Sequence, residues 1–369
     1  MKPIFKTILG VFFSGCVILI VLLLLEIIYS FSDKYPLNGQ EYNRYTLWHW
    51  RQRLSTTASN EELGVYKLNT DKHGFRNVGK SYDPDKTKCR ILVMGDSYTA
   101  GLYLPQKNIY SQMLEDNLKA ITTNGKHIEV FNISCPGWGT DQEYMALIHE
   151  GLAIKPDYVL LMVCPNDIRE TYCKKYAELK GDSVIFNAIP FTGTELLCWK
   201  LSNYSHFYQY LQRKVFYTDC GSGGWLWARW PMNFGKEDAT DWDSPLFLKQ
   251  PFSEVQQARK LHYTLLKNMQ QQCKANGTVL TLSCVPLVSE FNGSMQNDSS
   301  RQAGLVAQNL DSFCKANSID YVNLFTVFQN YSTPVNLFRN NGDTHWNAKG
   351  AEVAATTLTT YYKGLFTKP

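Results

Sequence analysis

The chain has 369 residues, of which 44% are hydrophobic and 19% charged; this excludes a disordered polymer and leaves room for one large domain or two ordinary ones. A formal net charge of +4, with no Lys/Arg run and no basic-aromatic ladder, is too mild to argue for nucleic acid, and none is expected as a partner. Aromatic content of 14% is the unusual quantity, and its position in the chain matters.

The first predicted element is a membrane segment. Residues 8–25 are uncharged and mostly Ile, Leu, Val and Phe; Lys2 and Lys6 precede them, and Ile27-Ile28-Tyr29 extends the run beyond Glu26. The run approaches the ~20 apolar residues a helix needs to cross a bilayer and exceeds the ~7–15 of a cleaved signal peptide. Ser30-Phe31-Ser32 is a poor cleavage site. The flanking lysines assign the N-terminus to the cytoplasm. The expectation is therefore a single-pass protein, in contact with the membrane through residues 8–28, its remainder periplasmic or extracellular. Nine of the ten cysteines follow that segment, which suits an oxidising compartment. Cys273 and Cys314, which close two predicted helices, and Cys173, Cys198 and Cys220, which share one loop-rich region, are the expected bridge partners, in no assigned pairing; Cys164 and Cys284, in apolar strand-like runs, are expected to be inert core thiols. No His/Cys cluster has zinc spacing, and neither a metal nor a cofactor is implied.

Residues 32–82 are polar and aromatic without sustained periodicity and read as a stalk and an irregular lead-in. Alternation of strand and helix then begins: a strand at 89–94, a helix at 108–121, a strand at 128–133, a helix at 141–154 capped by Thr140, and a strand at 158–164. Later come a helix at 254–275, a strand at 278–285, a helix at 303–316, a strand at 321–325 and a helix at 347–361. This alternation predicts an α/β fold, with a parallel sheet covered on both faces. It breaks over residues 170–252, where Trp199, Tyr204, Phe207, Tyr208, Tyr210, Phe216, Tyr217, Trp225, Trp227, Trp230, Phe234 and Trp242 cluster and Gly221-Ser-Gly-Gly224 marks a turn. A structureless loop of that length is improbable, so an ordered insertion is expected, either a subdomain with its own core or a wall beside the active edge. The predicted organisation is 1–31 (cytoplasmic tip and anchor), 32–82 (lead-in) and 83–369 (catalytic domain, with insertion 170–252).

Four blocks carry chemistry, each following a predicted strand. Gly95-Asp96-Ser97 ends the first and Asn132-Ile-Ser-Cys-Pro-Gly137-Trp-Gly139 the second; Pro165-Asn166-Asp167 follows the third and Gly342-Asp343-Thr344-His345-Trp346 the fifth. Serine, glycine, asparagine and histidine with a nearby aspartate are the parts of acyl transfer: a nucleophile, a base, an orienting carboxylate and oxyanion donors. Asp96 reads as a turn and capping residue, and Asp167 similarly. The Gly-x-Ser-x-Gly elbow of α/β-hydrolases is missing, since position 99 is Thr.

In order and spacing these blocks resemble the SGNH/GDSL hydrolase superfamily, over about residues 69–360. Asn69-x-x-x-x-Gly74-Phe-Arg is similar to the lead-in of membrane-tethered bacterial members. The resemblance implies a three-layer α/β/α sandwich with a parallel sheet of about five strands. It implies Ser97 as nucleophile, His345 as general base and Asp343 as its orienting carboxylate. The oxyanion site would then comprise the Ser97 and Gly137 N–H groups and the Asn166 side chain, with Gly139 the alternative to Gly137. Most members carry Asp-x-x-His, whereas here Gly342 occupies the usual acid position and Asp343 lies two residues before His345. The Asp-x-His-Trp block is similar instead to that of envelope polysaccharide O-acetyltransferases. The expected activity is serine-dependent hydrolysis or transfer of a small acyl group, such as acetyl, on a small-molecule or envelope-glycan ester. A lipase or lysophospholipase, and a non-catalytic glycan-binding domain on the same fold, are the alternatives.

Overall fold

The computed structural model describes residues 3–31, 37, 39–121, 127–188, 191–215, 242–293, 295, 297–340 and 342–366. It divides into two compact units: residues 1–42 with 190–230, and residues 43–189 with 231–369.

The first unit is built on α1 (Pro3–Ser30), a helix long and apolar enough to cross a membrane and without buried surface over its apolar window. Its other described helices are α6 (Gly193–Tyr204) and α7 (His206–Lys214). Glu26 of α1 accepts hydrogen bonds from Ser205 Oγ (2.7 Å), His206 N (2.7 Å) and Phe207 N (3.1 Å). A carboxylate there satisfies donors that the start of α7 leaves open. Tyr29 stacks on Tyr210 at 4.4 Å, and Trp199 donates to the Gln40 carbonyl at 2.9 Å. These aromatics of the insertion pack within their own unit. Phe216, Tyr217, Trp225, Trp227, Trp230, Phe234, the Gly221–Gly224 turn and Cys220 lie outside the described residues.

The second unit holds the parallel sheet. Its strands are β3 (Lys88–Gly95), β4 (His127–Ser134), β5 (Tyr158–Val163), β8 (Val279–Cys284) and β9 (Asp320–Val322), in the order β9-β8-β5-β3-β4. Ile91 to Met94 are fully buried, as expected of a strand covered on both faces. Chain direction in the sheet reverses at β3: the crossover through α3 (Tyr110–Ile121) leads to β4, and all later crossovers run the other way. Right-handed crossovers then put α3 on one face and α4 (Thr140–Ala146), α5 (Pro165–Lys174), α8 (Ser253–Ala275) and α9 (Leu305–Asn317) on the other. The contacts agree: α4 and α5 pack on α8, and the last helix, α11 (Ala348–Phe366), returns to α3. Register pairs Gly95 with both Ser134 and Met162, so β3, β4 and β5 deliver their loops to one level of the carboxyl edge. The gap between β3 and β5 is the switch point where such sheets bind ligands.

Several sequence expectations are corrected. The strand expected at 321–325 ends at Val322, because Asn323 accepts from Thr326 N (3.0 Å) and caps α10 (Leu324–Gln329). Thr140 does not cap its helix; Gly139 holds the cap position, and the Thr140 hydroxyl bonds His262 Nδ1 at 2.7 Å. The lead-in is not irregular throughout: β1 (Ser55–Asn60) and β2 (Gly64–Asn69) form an antiparallel hairpin. A second hairpin, β6 (Ala177–Lys180) with β7 (Ser183–Phe186), follows α5. Cys173, Cys198, Cys273 and Cys314 are free thiols, so the bridges expected among them are not formed. Cys164 and Cys284 are buried core thiols, and burial pushes both well above the usual thiol range.

Gly95 is required where it stands. A Cβ there would lie 2.3 Å from Thr99 Oγ1 and 3.0 Å from the Met162 carbonyl oxygen, on a backbone with φ of +156°. Gly95→Ala should destabilise the protein by about 1–3 kcal/mol through overpacking, measured by urea denaturation; an unchanged midpoint would refute the argument.

Candidate active site

Ser97 opens the short helix α2 (Ser97–Ala100), directly after β3. Asp96 caps it, its Oδ1 accepting from Tyr98 N at 3.0 Å. Ser97 is 8% exposed, so its hydroxyl sits at the rim of the sheet edge and not in the core. The C-terminal block reaches it from the far end of the sequence, and the Tyr98 hydroxyl fixes that approach by donating to the Thr344 carbonyl at 2.7 Å. His345 stacks on the Tyr98 ring (centroids 4.6 Å) and meets the Tyr103 ring edge-on at 5.2 Å.

The three side chains are in line. His345 Nε2 lies 2.7 Å from Ser97 Oγ, and His345 Nδ1 lies 2.6 Å from Asp343 Oδ1. This is the geometry that a nucleophile, a base and an orienting carboxylate require. The two-residue spacing from Asp343 to His345 does not prevent contact, because Asp343 turns back on itself: its Oδ1 also accepts the His345 backbone N–H at 2.8 Å. Arg339 Nη1 lies 3.1 Å from Asp343 Oδ2. Partial burial works against ionisation of Asp343. The His345 side-chain bond and charge, its backbone N–H and Arg339 outweigh this and hold the carboxyl at about 2.

Of the expected oxyanion donors, Asn166 lies in the first turn of α5 beside the serine. Its Nδ2 is 3.3 Å from Asp96 Oδ2, which is itself 3.2 Å from Ser97 Oγ; Asn166 Nδ2 also bonds Glu170 Oε1 at 3.2 Å. Gly137 lies in a tight turn with φ of +77°. Two tryptophans pin that turn: Trp48 donates to the Pro136 carbonyl (3.0 Å) and Trp138 to the Trp48 carbonyl (2.7 Å). Gly139 N donates to Gln142 Oε1 at 3.2 Å, which commits that N–H to the helix cap.

Behind the serine, Asp96 and Asp167 join Asp141, Glu143 and Glu170 in a bank of buried acids, a grouping that sequence reading missed. Burial raises Asp96 against the bonds from Tyr98 N, Asn166 and Ser97 and the charge of His345; burial reinforced by repulsion from neighbouring acids carries Glu143 and Asp167 well above the carboxylate range and takes Glu170 to about 8 against the pull of Lys174 and Arg169. Asp167 Oδ2 accepts from Cys164 N at 2.7 Å, the cap role expected of it. Among the described residues no group of His, Cys, Asp and Glu is arranged to hold a metal ion.

Beside Ser97 and His345 is a small pocket, walled by Tyr98, Leu102, Tyr103, Leu104 and Trp346. The loop that carries three of these residues is held by Arg76, whose Nη1 donates to the carbonyls of Ala100 (3.2 Å), Gly101 (2.8 Å) and Leu104 (2.9 Å). Phe-Arg at 75–76 was legible as part of a motif, but its partners were not.

Residues 93–353 match the GDSL-like Lipase/Acylhydrolase family, and the chain belongs to it. Membership implies an ester-hydrolysing enzyme. Among solved structures, a GDSL-like lipase from Bacteroides thetaiotaomicron is 13% identical, with 77% of this chain and 92% of that one covered at a TM-score of 0.40. A lipase/acylhydrolase from Enterococcus faecalis is 12% identical, with 75% and 96% covered at 0.42. A catalytic mutant of an acetylxylan esterase from Geobacillus stearothermophilus is 11% identical, with 76% and 95% covered at 0.40. No curated protein matches in sequence.

Proposed function

We propose that the chain is a membrane-anchored serine esterase or O-acyltransferase that takes a small acyl group, such as acetyl, from an ester of an envelope glycan or small molecule. The observation that carries this reading is the unbroken contact from Ser97 Oγ to His345 Nε2 (2.7 Å) and from His345 Nδ1 to Asp343 (2.6 Å). In the mechanism, His345 accepts the Ser97 proton as Oγ attacks the ester carbonyl, and Asp343 holds the imidazole tautomer and stabilises the imidazolium that forms. The Ser97 and Gly137 N–H groups and the Asn166 amide stabilise the oxyanion. Asn166 leaves its two long bonds to Asp96 and Glu170 to do so. His345 then returns the proton to the departing alkoxide, leaving an acyl-serine. Water or a sugar hydroxyl, deprotonated by the same histidine, releases the acyl group.

The restricted pocket beside the serine supports a short acyl chain over a lipase reading, which needs a long apolar trough. The Asp343-Thr-His345-Trp346 block, similar to that of envelope polysaccharide O-acetyltransferases, supports a glycan acceptor or donor. The apolar run of α1, with Lys2 and Lys6 ahead of it, supports anchoring with the catalytic unit outside the cytoplasm.

The test is turnover of nitrophenyl acetate against octanoate and palmitate esters, each with and without a glycan acceptor. Acetate is expected to be preferred, and acceptor-dependent acetylation would mark transfer. Preference for palmitate would overturn the short-chain reading. A reporter fused at the C-terminus is expected to report export, and cytoplasmic signal would reverse the topology.

A further inference from the structure

The hairpin β1–β2, which belongs to the lead-in, is joined to the active site by an ion pair between residues far apart in sequence. Glu61, in the turn of the hairpin, accepts two hydrogen bonds from Arg339 Nη2, at 3.0 and 2.8 Å. The other terminal nitrogen of that guanidinium, Nη1, contacts Asp343 Oδ2 at 3.1 Å. The face of the guanidinium lies 3.8 Å above the Tyr103 ring, and the Tyr103 hydroxyl bonds Asp343 as well. The hairpin is further tied to that loop by Asn60 Nδ2, which donates to the Tyr103 carbonyl at 2.9 Å. The Arg339 side chain is only 6% exposed and Asp343 22%, so water screens their contact less than that to Glu61, whose side chain is 59% exposed.

Asp343 needs such an arrangement. It follows Gly342, whose φ is +82° and around which a Cβ would meet nothing within 4 Å. Because the acid stands two residues before the histidine, Asp343 Oδ1 alone takes both His345 donors, the backbone N–H and Nδ1. Oδ2 is left to set the rotation of the carboxylate plane. Arg339 is well placed to set it: its backbone N–H donates to the His345 carbonyl at 3.0 Å, and the adjacent residues Phe338 and Trp346 form an antiparallel bridge. The arginine stands at the neck of the loop whose tip carries Asp343.

We propose that Arg339 is a positioning residue for the His345–Asp343 pair, and that Glu61 at the hairpin tip holds Arg339 in register, so that the lead-in hairpin completes the active site. This rests on the catalytic reading above and adds two residues to it. Neither touches substrate. Their effect is to hold the carboxylate in the one rotation that keeps the imidazole aimed at Ser97.

The experiment compares the full-length protein in detergent with Arg339→Gln, Arg339→Lys, Glu61→Gln and Ser97→Ala. It reads steady-state turnover of nitrophenyl acetate from acid to mildly alkaline pH and fluorophosphonate labelling rates. Arg339→Gln is expected to lower kcat by about 10–100-fold, as loss of a partner that orients a reactive-site ligand does, with KM unchanged. The acid limb of its kcat/KM profile should move to higher pH, because a cation no longer opposes proton uptake by the His345–Asp343 pair. The other titratable groups facing the pair, Asp96, Tyr98 and Tyr103, are the same in every variant. Arg339→Lys restores the charge without the fork and should recover part of kcat and most of the profile. Glu61→Gln, at an exposed turn where folding is not at stake, should show a smaller loss in the same direction. Arg339→Gln with the parent's kcat and profile would overturn the proposal. So would a loss of kcat with the profile unmoved and no recovery in Arg339→Lys, the behaviour of a merely structural arginine. If turnover and labelling of the parent are independent of Ser97, the catalytic reading falls and this proposal with it; if they depend on Ser97, the Arg339 variants judge this proposal alone.

Discussion

Ser97→Ala is expected to abolish fluorophosphonate labelling and to lower ester turnover by about 10⁴-fold or more, the scale seen when a serine nucleophile is removed. His345→Ala should do nearly the same, because the serine hydroxyl 2.7 Å away then has no group to take its proton. The double variant should be no worse than either single one, since the two side chains act as one unit. Asp343→Asn should lower turnover by about 10³–10⁴-fold, because an amide in place of the carboxylate supports the wrong imidazole tautomer. Near-normal turnover in that variant would leave a Ser-His dyad. Equal labelling of the parent, Ser97→Ala and His345→Ala would refute the catalytic proposal.

Arg76→Met is the substitution expected to damage stability most. Arg76 is 2% exposed, its guanidinium donates to three carbonyls of the segment that follows Ser97, and its Nε bonds Gln106 at 3.2 Å. Burial lowers it to about 10, offset in part by Tyr66, so it carries its charge at neutral pH. A methionine of similar length fills the space and leaves three carbonyls without that donor. Hydrogen bonds from a charged group contribute about 1.5–3 kcal/mol each and do not add fully, so a loss of about 3 kcal/mol or more is expected. Urea denaturation measures it. The segment released carries Leu102, Tyr103 and Leu104 of the pocket wall, so KM for the acetyl ester should rise in whatever fraction remains folded. Unaltered stability would mean that water replaces the guanidinium without loss.

The strands carrying the four chemical blocks were legible because each is a short apolar run closed by turn residues. Both faces of β3 to β5 are covered, so burial itself wrote those runs into the sequence. Ser97 and Asn166 could be named since each stands directly after such a run, and His345 from the Asp343-Thr-His345-Trp346 block. The end of β9 was misread because Leu324-Phe325 satisfies either period over so short a stretch, and the Asn323 cap decides for helix. The acid bank was not legible. Acids in a first helical turn, as Asp141 and Glu143 are, suit the helix dipole whether exposed or buried, and α8 packs on α4 and α5 where these acids are buried. The expected cysteine bridges failed for a related reason: spacing along a chain says which thiols exist, not which are brought within bonding distance.

The sequence by itself determined the class of fold, the apolar N-terminal helix and the residue types at the carboxyl edge of the sheet, because these depend on periodicity and on local turn chemistry. Tertiary structure alone decided that Asp343 reaches His345 from two residues away, and that Arg339 links Asp343 to Glu61. An ion pair between residues 61 and 339 leaves no periodic or local trace. It exists only because a hairpin and a distant loop are folded against the same sheet edge, and long-range contacts of that kind are specified by packing and not by any one stretch of chain.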